Sequence, residues 1–517
     1  MFVKINSFAV LGIDCVSVGV EVDISSGHLP SFEIVGLPDA AVKESKDRVR
    51  AALKNCRMSA PLAKITVNLA PANIKKVGAV YDLPIFIGIA LASSQIKADL
   101  ASFAFAGELS LNGEVKSVPG ILPMALKAKE MGYSRFFVPF DNGIEASIVP
   151  DIEIIPIKKA TELIEFLTCD RKIAPMPKFS PPTLQNIYPD FCDVKGQFQA
   201  KRGLEIAAAG SHNAILLGPP GSGKSMMAKR LPGILPEMTY EEQIETTKIY
   251  SVCGIISNEH PLVLRRPFRS PHHTISPAGL AGGGTNPRPG EISLANRGVL
   301  FLDEMPEFHK RAMEILRQPL EDNEVTISRV GGTVSYPSSF MLIGAMNPCP
   351  CGYFGDGTDR CKCSALAVRK YLSKISGPIL DRIDLQLEVS AVKYEEISDN
   401  TKAESSEAIR ARVENAREIQ AERFKGLPIF ANSQIESGDI KRFCPLSGEA
   451  EETLKNAFNN LGLSARGYDR IIKTSRTIAD LDGSEIISDS HLLEALSYRS
   501  LDRKYFNISK ELGASPF

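Results

Sequence analysis

From Gly218 to Ser225 the chain reads Gly-Pro-Pro-Gly-Ser-Gly-Lys-Ser, the spacing GxxxxGK[ST], directly after the apolar run Ala-Ile-Leu-Leu at 214–217. A loop of this kind turns its backbone N–H groups inward and holds phosphate oxygens at a helix N-terminus. Gly218, Pro219, Pro220, Gly221, Ser222 and Gly223 form the cradle, Lys224 places a charge on the β and γ oxygens, and the Ser225 hydroxyl ligates Mg²⁺. A second apolar run, 299–302, ends in Asp303-Glu304. Asp303 is expected to hold Mg²⁺ through water and Glu304 to polarise an attacking water, because phosphoryl transfer to water needs positioning and charge more than covalent help. Taken singly, the two motifs also read as a Gly-rich turn and a strand ended by solvated acids. Their pairing in one chain favours nucleotide chemistry, with ATP and Mg²⁺ as the expected ligands.

Four of the ten cysteines, Cys349, Cys351, Cys361 and Cys363, form two CxC pairs. Four thiolates so close could bind Zn²⁺ tetrahedrally and pin an irregular loop. The spacing is CxC and not CxxC, so an unliganded loop or a redox-sensitive pair stays open beside zinc. The segment 324–334 alternates as two strands about a Gly-Gly turn, with Arg329 just before it, and predicts a β-hairpin. The stretch 264–289 carries Arg265, Arg266, Arg269, Arg288, His272, His273 and three glycines at 282–284. It reads as a flexible basic loop suited to phosphate contact without sequence preference, or as a subunit-interface loop, which the two histidines favour.

Elements must hold these groups in place. With 517 residues, 44% hydrophobic and 23% charged, the chain has the composition of a multi-domain globular protein and excludes disorder, collagen and a small disulfide scaffold. The net charge of −1 removes any argument from bulk basicity, so a nucleic-acid partner would have to meet a local patch. Period-two runs at 16–24 and 65–69 predict strands, with a helix between them that starts on Asp39 and buries Val42, Val49, Ala52 and Leu53. Residues 1–170 read as one α+β domain. Five prolines between 171 and 190 mark a linker. Short apolar runs at 214–217, 299–302, 340–345 and 385–389 suit a parallel sheet buried on both faces, within a nucleotide-binding core at 191–392. Residues 393–517 turn to charged helix, with Ile409, Val413, Ala416 and Ile419 as the apolar stripe of the first helix and further helices at 448–461, 464–481 and 489–499. The N-terminal run lacks a signal-peptide pattern, the most apolar stretch (83–96) is too short to span a bilayer, and most cysteines are scattered singly. These features predict a cytoplasmic protein with no membrane partner.

The order of P-loop, Leu302-Asp303-Glu304, Gly344-Ala-Met-Asn-Pro348 and Leu380-Asp-Arg-Ile-Asp384 resembles AAA+ ATPases of the magnesium-chelatase and MCM-helicase branch. The runs 266–276 (RPFRSPHHTIS), 290–296 (GEISLAN) and 347–352 (NPCPCG) look like its ComM/YifB subfamily, over nearly the whole chain. The resemblance implies an α/β AAA+ core with a helical lid. It implies Asn347 as sensor 1, Arg382 as an arginine finger reaching a neighbour's nucleotide, Arg466 as sensor 2, and a homo-hexameric ring. In the MCM branch a hairpin before sensor 1 enters the pore, which makes Arg329 the expected pore contact to DNA, with Arg265, Arg266 and Arg269 as further phosphate contacts. The run 107–115 followed by 118–122 resembles the proteolytic domain of Lon. Val80 and Leu122 stand where its Ser nucleophile and Lys base would be, and Lys127 is five residues away, so no dyad exists and the domain reads as a non-proteolytic relative. The resemblance thus implies a DNA translocase or helicase acting on single-stranded or branched DNA, as in branch migration. The alternatives are an ATP-dependent protein remodeller and a chelatase-type motor subunit, the latter weakened because the chain has no DxSxS metal-adhesion motif.

Overall fold

The computed structural model describes residues 1–25, 29–182, 188–284, 287–329, 332–357, 359–391, 403–461 and 463–499. The alternating runs near the N-terminus form strands, as their period requires. β1 (Phe2–Leu11), β2 (Asp14–Ser25), β3 (Ser31–Val35), β4 (Lys64–Ala70), β5 (Phe103–Phe105), β6 (Arg135–Pro139) and β7 (Glu153–Ile157) build one sheet in the order β3-β4-β2-β1-β5-β6-β7. β2 pairs antiparallel with β1 and β4, and the other pairs are parallel. Every second residue of β2, Val18, Val20 and Val22, is fully buried.

Helix α1 (Ala40–Asn55) begins where Asp39 accepts a hydrogen bond from the Val42 amide at 2.8 Å, satisfying one of the free N–H groups of the first turn. It buries Val42, Val49, Ala52 and Leu53. Helix α2 (Asp82–Ala92) is buried along its whole length, so the most apolar stretch of the sequence is a core helix. No helix among the described residues is long and apolar enough to cross a membrane. Asp82, at the start of α2, is buried but paired: Arg48 donates to it at 2.6 and 3.0 Å, and the Leu109 amide at 3.2 Å. Helix α3 (Ile121–Glu130) covers the same core.

The proline-rich stretch does not hang free at its start. The amides of Met176 and Phe179 bond back to the Ile154 and Ser147 carbonyls of the first domain at 2.8 and 3.3 Å.

The second domain begins with helix α4 (Phe198–Gly210) and is organised on a five-stranded parallel sheet. Its strands are β8 (Ala214–Leu217), β9 (Phe268–Arg269), β10 (Val299–Leu302), β13 (Met341–Met346) and β14 (Leu385–Glu388), and the hairpin β11 (Glu324–Arg329) and β12 (Gly332–Pro337) stands between β10 and β13 in the chain. The sheet order is β9-β10-β13-β8-β14. Ala214, Leu216, Phe301, Ile343 and Leu387 enter one core, while Ile215, Leu217, Leu300, Leu302 and Leu342 enter another on the opposite face. Apolar runs without polar alternation fit this position, because both faces are covered. The two-residue edge strand β9 lies within the stretch read as a flexible basic loop.

After β8 come α5 (Lys224–Arg230) and α6 (Tyr240–Cys253), and α7 (Ala365–Leu372) precedes β14. The C-terminal helices are α8 (Ser406–Arg423), α9 (Gly448–Leu461), α10 (Ala465–Leu481) and α11 (Asp489–Ser497). The stripe of α8 differs from expectation by one residue. Ile409, Val413 and Ala416 are buried, but Ile419 is 39% exposed and Gln420 is buried in its place. Gln420 earns that position by donating to the Ala209 carbonyl of α4 at 3.0 Å and accepting from the Asn432 amide at 3.0 Å.

Helix α6 is the seam between the first domain and the sheet domain. Lys248 pairs with Asp14, the Gly120 amide donates to the Ser251 carbonyl at 3.0 Å, and the Tyr240 hydroxyl donates to the Ile148 carbonyl at 3.3 Å. Leu262 is buried in the core of the first domain. Beneath α6, the buried Glu145 carboxylate accepts from the Ser251 hydroxyl, from Asn142 at 3.1 Å and from the Leu122 amide at 3.1 Å. Burial holds the Glu145 carboxyl above its ordinary range, against these hydrogen bonds. Val80 and Leu122 are both buried apolar side chains, so no hydroxyl and amine meet there.

Candidate functional site

The loop 218–223 leaves the C-terminal end of β8 and runs into α5, the strand–loop–helix setting that a phosphate cradle requires. Gly221 and Gly223 hold φ of 75° and 92°, a conformation that favours glycine. A Cβ at Gly218 would lie 2.0 Å from the Val389 carbonyl oxygen, so the loop can pass β14 only without a side chain there. The Ser222 hydroxyl is buried with no hydrogen-bond partner inside this loop. A buried polar atom of this kind costs free energy unless a ligand group meets it, which suits a phosphate-binding loop.

The side chains named from the sequence converge here. Lys224, only 8% exposed, donates to the Gly218 carbonyl at 2.7 Å, the Pro219 carbonyl at 2.8 Å and Asn347 Oδ1 at 3.1 Å. Burial pushes its pKa down to about 8, with Asp303 opposing the shift. The Ser225 hydroxyl donates to Asp303 Oδ2 at 2.6 Å. A hydroxyl and a carboxylate in contact beside the phosphate loop form a hard-oxygen donor set that fits Mg²⁺. Asn347 sits one residue beyond β13, the strand between β8 and β10, which explains how it reaches Lys224.

Glu304 is 61% exposed and adopts φ of 49°, a strained conformation for a non-glycine residue. It lines a cavity of about 420 Å³ with Asn347, Glu307, Lys370, Tyr371 and Lys374. His273 Nδ1 lies 3.7 Å from the Glu304 carboxylate, and its ring lies 4.1 Å from that of His272 between centroids, tilted by 33°. Sequence reading missed this approach, because His273 and Glu304 meet only through the sheet edge.

Arg382 and Arg466 are not at this loop. β8 and β14 run parallel with Ala214 opposite Leu385 and Leu217 opposite Glu388. The phosphate loop therefore leaves the end where these strands finish, and Arg382 lies three residues before the end where they start. Four strand residues separate the two ends by about 13 Å. Arg382 pairs with Glu321 and donates to the Pro378 carbonyl at 2.8 Å, and Arg466 meets the other oxygen of the same carboxylate at 3.0 Å. Both guanidiniums hold the Glu321 carboxyl below its ordinary range, Arg382 most strongly. Arg466, expected as sensor 2, joins Arg382 on the Glu321 carboxylate in this chain. Glu321, which unites the two, carries no sequence motif.

The basic stretch also differs from expectation. Arg266 donates to Glu242 at 2.8 Å and to the Pro236, Glu237 and Arg297 carbonyls at 2.7, 3.1 and 2.8 Å. Arg269 forms a two-pronged pair with Glu291, both contacts at 2.6 Å. Within this chain these two arginines act as struts between neighbouring elements. Arg265 stacks over the Tyr188 ring with its guanidinium 5.9 Å from the centroid.

The hairpin is present. β11 and β12 pair antiparallel from Glu324↔Pro337 to Arg329↔Gly332. Gly332 thus belongs to the ladder as the partner of Arg329, and the expected Gly-Gly turn falls partly on the connection 330–331. That connection and the Arg329 side chain lie outside the described residues. Val325, Ile327 and Tyr336 anchor the hairpin in the sheet core, while Thr326–Ser335 and Ser328–Thr333 pair on the exposed face at 3.1 and 3.2 Å.

The four cysteines of the 349–363 loop come together, with sulfurs within 4.8 Å of one another. All are free thiols.

Three family models cover most of the chain: "Subunit ChlI of Mg-chelatase" at residues 20–142, "Magnesium chelatase, subunit ChlI" at 190–397 and "Magnesium chelatase, subunit ChlI C-terminal" at 403–499. Among curated proteins, the competence protein ComM of Haemophilus influenzae is 43% identical over 505 residues, 96% of this chain and 97% of that protein. The protein YifB of Escherichia coli K12 is 41% identical over 510 residues, 98% of this chain and 99% of its own length. The magnesium-chelatase 67 kDa subunit of Heliobacterium mobile is 27% identical over 259 residues, 44% of this chain and 37% of that subunit.

Proposed function

This chain belongs to the magnesium-chelatase-like proteins of the ComM/YifB type, AAA+-like ATPases by family, and we propose that it works as a ring-forming, Mg²⁺-dependent ATPase that translocates along single-stranded or branched DNA in the cytoplasm. The observation that carries the reading is one of continuity. The hairpin β11–β12 leads directly into β13, and Asn347, one residue beyond β13, is hydrogen-bonded to Lys224 of the phosphate loop. In this reading the residue that senses the nucleotide follows one end of a buried strand, and the hairpin that carries the candidate DNA contact precedes the other. The H. influenzae relative is a competence protein.

In this reading Lys224 and the loop amides hold the phosphates, Ser225 and Asp303 hold the metal, and Glu304 orients and polarises the attacking water from the cavity wall. Mg²⁺ held by Ser225 and Asp303 would draw off the negative charge that develops on the phosphates. Asn347 keeps Lys224 aligned and faces the γ position. Arg382, on the far end of its own sheet, serves a neighbour's site, which calls for a closed ring, six-membered by analogy with the AAA+ class. Arg466 shares that face. The first domain is a non-proteolytic relative of the Lon fold that docks on α6.

The test is ATP turnover with and without forked DNA, together with strand displacement. The parent protein is expected to be stimulated by DNA. Arg329→Ala is expected to keep its DNA-free turnover and to lose both stimulation and displacement, since the phosphate grip would be gone. A parent with no DNA affinity at low salt, or an Arg329→Ala protein that unwinds as fast as the parent, would replace this reading with ATP-driven remodelling of a protein client or a chelatase-type motor.

A further inference from the structure

The loop that joins β13 to α7 holds four thiols that neither the phosphate site nor the Arg382 cluster uses. Cys349 Sγ lies 3.3 Å from Cys351 Sγ and 3.8 Å from Cys361 Sγ, and Cys351 Sγ lies 3.6 Å from Cys361 Sγ. Cys363 Sγ falls within 4.8 Å of the other three. Disulfides would need sulfurs about 2.05 Å apart. A tetrahedron of thiolates around one Zn²⁺, with Zn–S of about 2.3 Å, has edges of about 3.8 Å, which is the scale seen here. A polynuclear iron–sulfur cluster places iron and sulfide between its cysteine sulfurs and spreads them farther than this loop allows.

The surroundings support a metal knot. The Gly352 amide donates to Cys349 Sγ at 3.2 Å, the kind of N–H···S contact that steadies a metal-bound thiolate. Gly352 has φ of 88°, and a Cβ there would lie 2.5 Å from Pro220 Cδ of the phosphate loop, so the knot rests directly on that loop. On one side Cys349 follows Asn347 by two residues. On the other, Cys363 precedes Ser364, whose hydroxyl accepts from the Ala367 amide to start α7. That helix supplies Ala367, Lys370 and Tyr371 to the cavity beside Glu304.

We propose that Cys349, Cys351, Cys361 and Cys363 bind one structural Zn²⁺ that ties the end of β13 to the start of α7 and presses the loop onto Pro220. With four protein ligands the metal has no open position and takes no part in chemistry. Each thiol releases its proton to solvent as the metal enters, so binding strengthens with pH. The metal site stands on the sulfur geometry alone; its effect on nucleotide binding rests on the ATPase reading above.

The test uses the full chain, purified without chelator, with metal counted by plasma mass spectrometry. One zinc per chain is expected, with X-ray absorption giving four sulfur neighbours at about 2.3 Å. The Cys361→Ser/Cys363→Ser double variant is expected to lose the zinc and to bind a fluorescent ATP analogue more weakly. Should that variant not fold, metal content and absorption of the parent still decide the matter. A parent that remains metal-free after incubation with zinc, or whose four thiols react freely with a thiol reagent under native conditions, overturns the proposal. Iron in place of zinc overturns the choice of metal. Zinc-loaded protein without ATP turnover would refute the functional reading and leave the metal site standing.

Discussion

Lys224 gives a prediction whose size follows from its surroundings. The residue is 8% exposed, its ammonium is bonded to two carbonyls and an amide oxygen, all neutral, and burial lowers its pKa from 10.5 to about 8. Holding the charge there at neutral pH costs about 3 kcal/mol relative to water, at roughly 1.4 kcal/mol per pKa unit. Phosphate oxygens remove that cost when nucleotide binds, so the bound protein keeps its proton to much higher pH. Above pH 8 the free protein must take up a proton to bind ATP, and the dissociation constant should rise about tenfold per pH unit, to roughly thirtyfold by pH 9.5. The phosphates themselves, with a second pKa of about 6, are fully ionised across this window. The same shift acts on folding with a fixed sign: the unfolded chain binds the extra proton between about pH 8 and 10.5, so stability from this group rises as pH climbs through that range. The assay is titration with a fluorescent ATP analogue from pH 7 to 9.5, with calorimetry in two buffers of different ionisation enthalpy to count the proton. Lys224→Arg, which cannot lose its charge in this range, should bind less well but without the slope. A flat profile for the parent, or an equal slope in Lys224→Arg, would refute the argument.

Arg382→Ala should bind nucleotide normally and lose hydrolysis by about a thousandfold, the usual worth of an arginine finger. Mixing it with Lys224→Ala should restore part of the turnover, since an intact Arg382 then faces an intact phosphate loop; no recovery in confirmed mixed assemblies would exclude action between subunits. In the C-terminal helices, Asp480 is buried and accepts from Asn432 at 2.7 Å, Arg423 at 2.8 Å and Arg476 at 3.1 Å. Asp480→Ala leaves Arg476 buried without its countercharge and should cost about 3–5 kcal/mol in a urea melt; a loss below about 1 kcal/mol would mean that the Ser484 and Glu485 carbonyls suffice for Arg476.

The phosphate loop, Asp303, Glu304 and the β-strands of the parallel sheet were legible because each is a local pattern: a spacing, a period, a run of apolar residues. Asn347 was legible through motif order, while its contact with Lys224 came only from the structure. What the sequence hid depends on partners far away in the chain. Arg266 and Arg269 look free until Glu242 and Glu291 arrive from α6 and from the segment before β10. Glu321 looks like any surface acid until Arg382 and Arg466 close on it from positions 61 and 145 residues later. Gln420 displaced Ile419 from the buried stripe because α4 offered a carbonyl that only an amide could satisfy. The hairpin was legible from the alternation at 324–334, and its pairing came only from the structure.

The strand β13 is hydrogen-bonded along its length to β10 on one side and β8 on the other. It cannot slide like a piston without breaking both ladders at once, so a change at Asn347 passes along it only as a turn of the sheet as a rigid body. Six strand residues make a lever arm of about 20 Å. A turn of about 10° would carry the hairpin end of that arm about 3.5 Å. A change at Asn347 can thereby reach the base of the hairpin as a small rotation, with no segment of the sheet needing to unfold.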